Sequence, residues 1–307
     1  DVLGSRGLGD VYKRQVFVRF RPLSADCIRS GADRLFAGLC LVDKSIAEWR
    51  GRSVRTRNRA GVGAKRSLSG EVPDSLCSAL AAMRFGAGIR FLYASSCATY
   101  GDGSRGYVDD ESKIEELRPM NMYGYSKQLF DLWAKRRGYL KSITGCKFSN
   151  VYGPNERHKG NMRSVVCRAF EQITATGKLQ LFKSYRPEYA DGEQMRDFLY
   201  VKDAVRMVLN LFNRPSAAGL YNIGSGRAET WNALARASFA ALEKPVAIEY
   251  IEMPESLRDR YQYYTRAEMG KYHALGFADE ASSLEEAIAD YMWYMRNGCY
   301  LGDECVK

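Results

Sequence analysis

A chain of 307 residues, 46% of them apolar, can bury one large core or two unequal lobes, which excludes a linker or a disordered tail. The net charge of +10 invites a nucleic-acid partner, but residues 1–90 carry +9 of it and residues 91–307 only +1, and the near-neutral part lacks the interleaved aromatic and basic residues of single-strand binders. Eight Cys without a C-x-x-C pair, only His158 and His273, no signal peptide and no run of about eighteen apolar residues argue against a metal site or a membrane, and for reduced thiols in a cytoplasmic protein.

In chain order, residues 1–83 come first and resist assignment. Arginine-rich pieces such as Arg50-Gly51-Arg52-Ser53-Val54-Arg55 alternate with short apolar runs of neither helical nor strand period. Val16–Val18 and Leu39–Val42 have the length of short strands and Ser75–Arg84 that of a helix, but caps and turns are missing beside them. Gly4-Ser5-Arg6-Gly7-Leu8-Gly9 has the outline of a phosphate-binding glycine loop, yet it follows no strand. The arginine surfeit and the abrupt change near residue 84 predict a mis-framed or chimeric segment in place of a native domain.

From Ile89 the texture changes. Ile89–Ser96 is an apolar run of strand length ending in small hydroxyl residues, which predicts a buried parallel strand delivering Ser96 to its carboxyl end. A helix over Tyr123–Arg137 and a strand over Cys146–Asn150 follow, and strand, helix, strand predicts a parallel sheet covered by helices. Ligands of such sheets gather at the carboxyl ends of the strands, where Ser96 and Asn150 fall. Beyond Pro154 the periodicity predicts helices over Met162–Thr176, Asp203–Phe212, Trp231–Leu242 and Leu284–Arg296. Strands are expected over Leu179–Phe182, Gly219–Ile223 and Ala247–Ile251, with a long polar loop over Lys183–Gln194. These elements read as a smaller lobe closing over a ligand.

Chemistry concentrates at Tyr123-Gly124-Tyr125-Ser126-Lys127. Tyr123 and Lys127 stand one helical turn apart on one face. An ammonium beside a phenol stabilises the phenolate and lowers its pKa from ~10, making a proton-transfer group for an alcohol. The spacing alone is expected about once by chance in a chain this rich in Tyr and Lys. Ser96 alone reads equally well as a strand-end hydrogen-bonder, and Lys159 alone as a solvated surface charge. Cys97 reads as a buried thiol and not a nucleophile, since no Cys-His arrangement is evident.

Four ordered motifs change those odds: Tyr93-Ala94-Ser95-Ser96-Cys97-Ala98-Thr99-Tyr100-Gly101, the Tyr123–Lys127 segment, Asn150-Val151-Tyr152-Gly153-Pro154, and Arg196-Asp197-Phe198-Leu199-Tyr200-Val201-Lys202-Asp203. Together they resemble the extended short-chain dehydrogenase/reductase superfamily. His158–Met162, Gly224–Glu229 and Arg260–Thr265 are similar to its ADP-L-glycero-D-manno-heptose 6-epimerase family, over about Arg84 to Gly298. The resemblance implies an α/β fold: a Rossmann-like parallel sheet, incomplete at its N-terminal side, with a smaller α/β substrate lobe. It divides the chain into an atypical segment 1–83, the remaining dinucleotide-binding part 84–160, and a substrate lobe over 161–307 with segments returning to the first domain.

It also implies an epimerase acting on an ADP-sugar with NADP or NAD, and a homo-oligomer. A hydrogen on a secondary alcohol carbon is too weakly acidic to remove directly, so inversion requires transient oxidation by a bound nicotinamide and reduction on the other face. By the resemblance Tyr123 and Lys159 are the acid/base groups for the two faces, and Ser96 hydrogen-bonds the reacting oxygen. Lys127 holds the nicotinamide ribose and Val151 lines the cofactor. Asn150 and Asn161 contact substrate, Phe182, Lys183, Ser184, Tyr185 and Arg196 reach the diphosphate end, and Tyr261 closes on the sugar.

Asn161, Arg163 and Arg168 depart from the Ser, Ala and His expected of the family. The largest departure is in front, where residues 1–83 lack the strand and glycine turn that hold a pyrophosphate. The chain as written is therefore expected to bind no dinucleotide and to be inactive. A nucleotide-sugar dehydratase or 4-epimerase is the alternative within the superfamily, although dehydratases place an Asp-Glu pair where this chain has Cys97-Ala98-Thr99; a catalytically dead fragment is the non-catalytic alternative.

Overall fold

The computed structural model describes residues 90–258, 261–278 and 280–301, with backbone alone for 17–19 and for Asn161. The expectations for Gly4–Gly9, Leu39–Val42 and Ser75–Arg84 lie outside these residues. Among the described residues the main sheet has four strands. Strand β2 (Phe91–Ser96) pairs in parallel with β3 (Thr144–Phe148), which pairs in parallel with β8 (Gly219–Ile223). The three-residue β1 (Phe17–Arg19) lies antiparallel on the outer edge of β2.

The pleat decides what covers each face. Phe91 and Tyr93 of β2 and Leu220 of β8 point to one side, where Phe130 and Ala134 of helix α1 (Met122–Arg136) close over them. Leu92, Cys146, Tyr221 and Ile223 point to the other, under Met207, Val208 and Leu211 of a helix α3 (Val201–Asn213). Leu211 and Leu220 are both fully buried, each stabilising the sandwich by about 1.5–3 kcal/mol relative to exposure. Strand β8 and α3 thus return from the second half of the chain to the main sheet.

A second body is built on the parallel pair β5 (Leu179–Phe182) and β10 (Ile248–Ile251). Helices α2 (Val165–Thr176), α4 (Trp231–Ala241) and α5 (Leu284–Arg296) pack with it, with Ala169, Ile173, Ala235 and Phe239 in one cluster and Leu234, Ile288 and Met292 in a neighbouring one. Helix α5 starts where the sequence predicts because Ser283 and Glu286 form a reciprocal capping box.

Two expected elements differ. The single strand over Cys146–Asn150 is two: β3 ends at Phe148, and β4 (Asn150–Tyr152) pairs instead with β7 (Phe198–Tyr200). The change of partner occurs at Ser149, whose N–H donates to the Ile223 carbonyl while that of Asn150 donates to Asp197. Helix α2 begins at Val165 and not near Met162, because Ser164 caps it and Gly160, at φ +56°, breaks the helical turn Arg157–Met162 before it. Cys97, Cys146 and Cys167 are free and buried. Cys299 is disulfide-bonded, so the expectation of reduced thiols fails there; absence of C-x-x-C spacing does not exclude a bridge. Among the described residues no helix is long and apolar enough to cross a membrane, and no group of three or more His, Cys, Asp or Glu could hold a metal ion.

Candidate active site

Ser96 ends β2 and caps the short turn Cys97–Tyr100, its Oγ accepting the Ala98 N–H at 3.1 Å. Helix α1 lands on that turn. Asn121 caps it by accepting from Gly124 N at 2.8 Å, and Gly124 lets the two backbones meet, since a Cβ there stands 2.6 Å from the Ala98 carbonyl oxygen. Gly124→Ala is expected to lift the first turn of α1 off the Ser96 turn, at about 1–3 kcal/mol of stability for the overpacking. Turnover and unfolding midpoint check it together; no change in either means that the contact has slack.

The landing puts Tyr123 beside Ser96 and Lys127 beneath it. Lys127 is 6% exposed; its Nζ donates to the Ala94 carbonyl at 2.9 Å and lies 5.7 Å from the centre of the Tyr123 ring. The expected lowering of the Tyr123 pKa by Lys127 is not what this geometry produces. Tyr123 is half exposed as a residue, but its phenol end is buried, which raises it above its ordinary 10.0; Cys97 adds to this, and only Ser96 works downward. Lys127 is the group displaced downward, to about 8, because burial disfavours its ammonium more than Asp131 favours it.

That shift has a stability consequence with a definite sign. Below about pH 8 both folded and unfolded chains hold the Lys127 proton, and the buried charge costs stability; between about 8 and 10.5 the folded state releases it while the unfolded state keeps it. Stability from this group therefore rises with pH across that window. Relative to Lys127→Met, the parent should gain stability from pH 8 to 10.5 in urea unfolding, and a flat difference means a solvated ammonium.

Ser96, Tyr123 and Asn150 line one cavity of about 200 Å³, together with Asp197, Thr265 and Arg266. Its size suits a single sugar ring and not a whole nucleotide sugar. Asp197 is the knot of the far wall. Fully buried, its carboxylate accepts from Ser225 N and Oγ, Gly226 N and Ala267 N at 2.8–3.1 Å, while its carbonyl accepts from both nitrogens of Asn150 at 3.1 Å. Gly224 is required beside it, because a Cβ there falls 2.8 Å from an Asp197 oxygen. Nothing in the Arg-Asp-Phe motif signals that the Asp turns inward.

The diphosphate-end candidates form a second, contiguous group. The Arg196 guanidinium is 7% exposed, stacks 4.9 Å from the Tyr261 ring and donates to the Met195 carbonyl. Burial lowers its pKa. Tyr261 meets the ring of Tyr263, whose hydroxyl accepts from the backbone of Tyr185. Phe182 ends β5, Lys183 is paired with Glu252 at 2.7 Å, and Ser184 N donates to Asp191. Tyr185 also bonds Glu252 and lies under Arg258, 3.9 Å from ring centre to guanidinium carbon. The segment 261–267 links the groups, with Tyr261 and Tyr263 on this side and Gln262 and Thr265 on the cavity. Val151 packs against the core beside β7. Lys159 is exposed on the turn before α2 and does not line the cavity, and the Asn161 side chain lies outside the described atoms.

Comparison with known proteins places this geometry. Residues 70–224 match the NAD dependent epimerase/dehydratase family. The ADP-L-glycero-D-manno-heptose-6-epimerase of Nitratidesulfovibrio vulgaris is 53% identical over 205 residues, 67% of this chain and 64% of that protein. That of Fusobacterium nucleatum is 45% identical over 213 residues, 66% and 64%. Among solved structures, the Helicobacter pylori ADP-L-glycero-D-manno-heptose-6-epimerase aligns with a TM-score of 0.59 at 23% identity over 75% of this chain and 70% of that one. The UDP-glucose 4-epimerase of Thermotoga maritima aligns with 0.59 at 25%, over 73% and 68%. The chain thus spans about 64% of the length of the curated relatives that it matches. Matched over half its length, with Ser96 at the carboxyl end of β2 and Tyr123 and Lys127 on α1, the chain belongs to the NAD dependent epimerase/dehydratase family.

Proposed function

We propose that the described residues form the substrate side and the reacting end of an ADP-glycero-manno-heptose 6-epimerase using NADP or NAD. The observation that carries the reading is the convergence of Ser96, Tyr123 and Asn150 on one cavity, in a chain 53% identical to an enzyme named for that reaction. Cys97 supports an epimerase over a dehydratase: its thiol donates to the Lys147 carbonyl, and burial raises its pKa, so it supplies no acid.

The residues present fit the nicotinamide end of a dinucleotide. Among the described residues, the buried Lys127 ammonium gives one hydrogen bond, to Ala94, and so keeps donors for ribose hydroxyls. When bound, the nicotinamide supplies hydride transfer to and from the sugar carbon. Ser96 holds the reacting oxygen, and Tyr123 moves the hydroxyl proton on one face. Asn150 and Thr265 orient the sugar, and Arg196, against the rings of Tyr261 and Trp231, takes the diphosphate.

Lys159 is assigned to the opposite face by family resemblance alone, since it is exposed and outside the cavity in this structure. Both ends of its turn are pinned, because Glu156 accepts from Ser164 N at 2.8 Å and from Tyr291 on α5 at 2.9 Å. Lys159→Ala should abolish interconversion yet leave one epimer able to reduce the cofactor in a single turnover. If neither epimer does so, Lys159 binds or supports and is no base. Activity further requires a pyrophosphate turn ahead of residue 84; no strand followed by such a glycine turn is legible in the sequence 1–83, and with that front the chain is proposed to be inactive.

A further inference from the structure

Beneath the cavity floor lies an ion pair that the reaction does not touch. Asp131 of α1 and Lys147 of β3 are 0% and 1% exposed, with nitrogen and oxygen 2.8 Å apart. Asp131 also accepts from Tyr93 Oη at 2.8 Å and Ser95 Oγ at 2.7 Å, both on β2. Lys147 donates in addition to Thr99 Oγ1 at 2.7 Å and lies 4.9 Å from the centre of the Tyr100 ring. Thr99 Oγ1 in turn donates to the Ser96 carbonyl at 2.8 Å.

Burying two charges costs several kcal/mol each before their attraction returns it, and a well-packed apolar pair is often at least as stable. Packing alone therefore does not account for the pair, but its connections do. Asp131 is one turn beyond Lys127 and two beyond Tyr123 on α1. It grips the residue before Ser96 through Ser95, and Lys147 grips the residue three after Ser96 through Thr99. The serine is thus held from both sides by groups tied to the helix that carries the tyrosine.

We propose that Asp131 and Lys147 are positioning residues, a buried pair that fixes the slide of α1 against the Ser96 turn and thereby sets the approach of the Tyr123 hydroxyl to Ser96. The inference rests on the functional reading of Tyr123 and Ser96, but its test needs no turnover, so the two fail separately.

The test places 3-fluorotyrosine at position 123 of the full chain and follows its fluorine resonance through the phenol titration. Charged and titratable groups near that phenol are Cys97 of the turn, Lys127 of its own helix and, around the cavity, Tyr107, Asp197 and Arg266. Of the causes acting on its pKa, only Ser96 pulls the midpoint down. Thr99→Val, nearly isosteric, cuts the link between Lys147 and the turn and should raise the midpoint by about half a unit or more. Lys147→Met should do the same if it folds, and Lys147→Arg, which keeps a cation for Asp131 and Thr99, should restore the parent value. A midpoint unchanged or lowered in Thr99→Val, with cooperative unfolding retained, overturns the proposal. So does a Lys147→Arg variant that folds and titrates like Thr99→Val.

Discussion

Replacing Tyr123 by phenylalanine is expected to lower epimerase turnover by about 100-fold or more, with nucleotide-sugar affinity nearly unchanged. The substitution removes one hydroxyl from a residue that lines the cavity with Ser96 and is 49% exposed as a whole. Folding should therefore be little affected, and the loss falls on proton transfer. The assay belongs in a protein whose residues 84–307 follow a strand and glycine turn, with substrate binding measured separately by calorimetry. Turnover within a few-fold of the parent removes Tyr123 from the mechanism; a matching loss of affinity makes it a binding residue.

Lys147→Met carries the largest expected cost in stability, about 3–5 kcal/mol, because it strands the Asp131 carboxylate without its cation. Asp131 is wholly buried, and the hydroxyls of Tyr93 and Ser95 satisfy its oxygens without neutralising the charge. Urea unfolding should show a lower midpoint at unchanged slope. A loss below about 1 kcal/mol, within the range of an ordinary surface change, means that water or another cation reaches the carboxylate.

Much of this fold is written in local pattern. Leu179–Phe182, Gly219–Ile223 and Leu284–Arg296 form where the sequence predicts them, because alternation, a mostly apolar run and a capping box each depend on neighbouring residues only. The break at Ser149 is not legible, since it depends on hydrogen bonds to Ile223 and Asp197, far away in the chain. The site divides along the same line. Ser96 and Tyr123 meet because a strand end and a helix start are local signals, joined by the glycine that lets them touch. Asp197, Thr265 and the Asp131–Lys147 pair were not foreseen, because an acidic residue or a lysine reads as surface until its partners from other elements surround it. The Tyr123 pKa shows the limit most clearly. Spacing one turn apart suggested a lowered phenol, but burial, which spacing does not report, raises it.

The central claim is C6 epimerisation of an ADP-heptose by Tyr123 and its neighbours. Incubating each ADP-glycero-manno-heptose epimer separately with the protein carrying a restored glycine turn, and following the C6 proton by NMR, tests it most directly. Both epimers are expected to relax to one common mixture, and the chain with residues 1–83 as they stand is expected to produce none. Persistence of both epimers unchanged, with saturable dinucleotide binding demonstrated in the same sample, would contradict it.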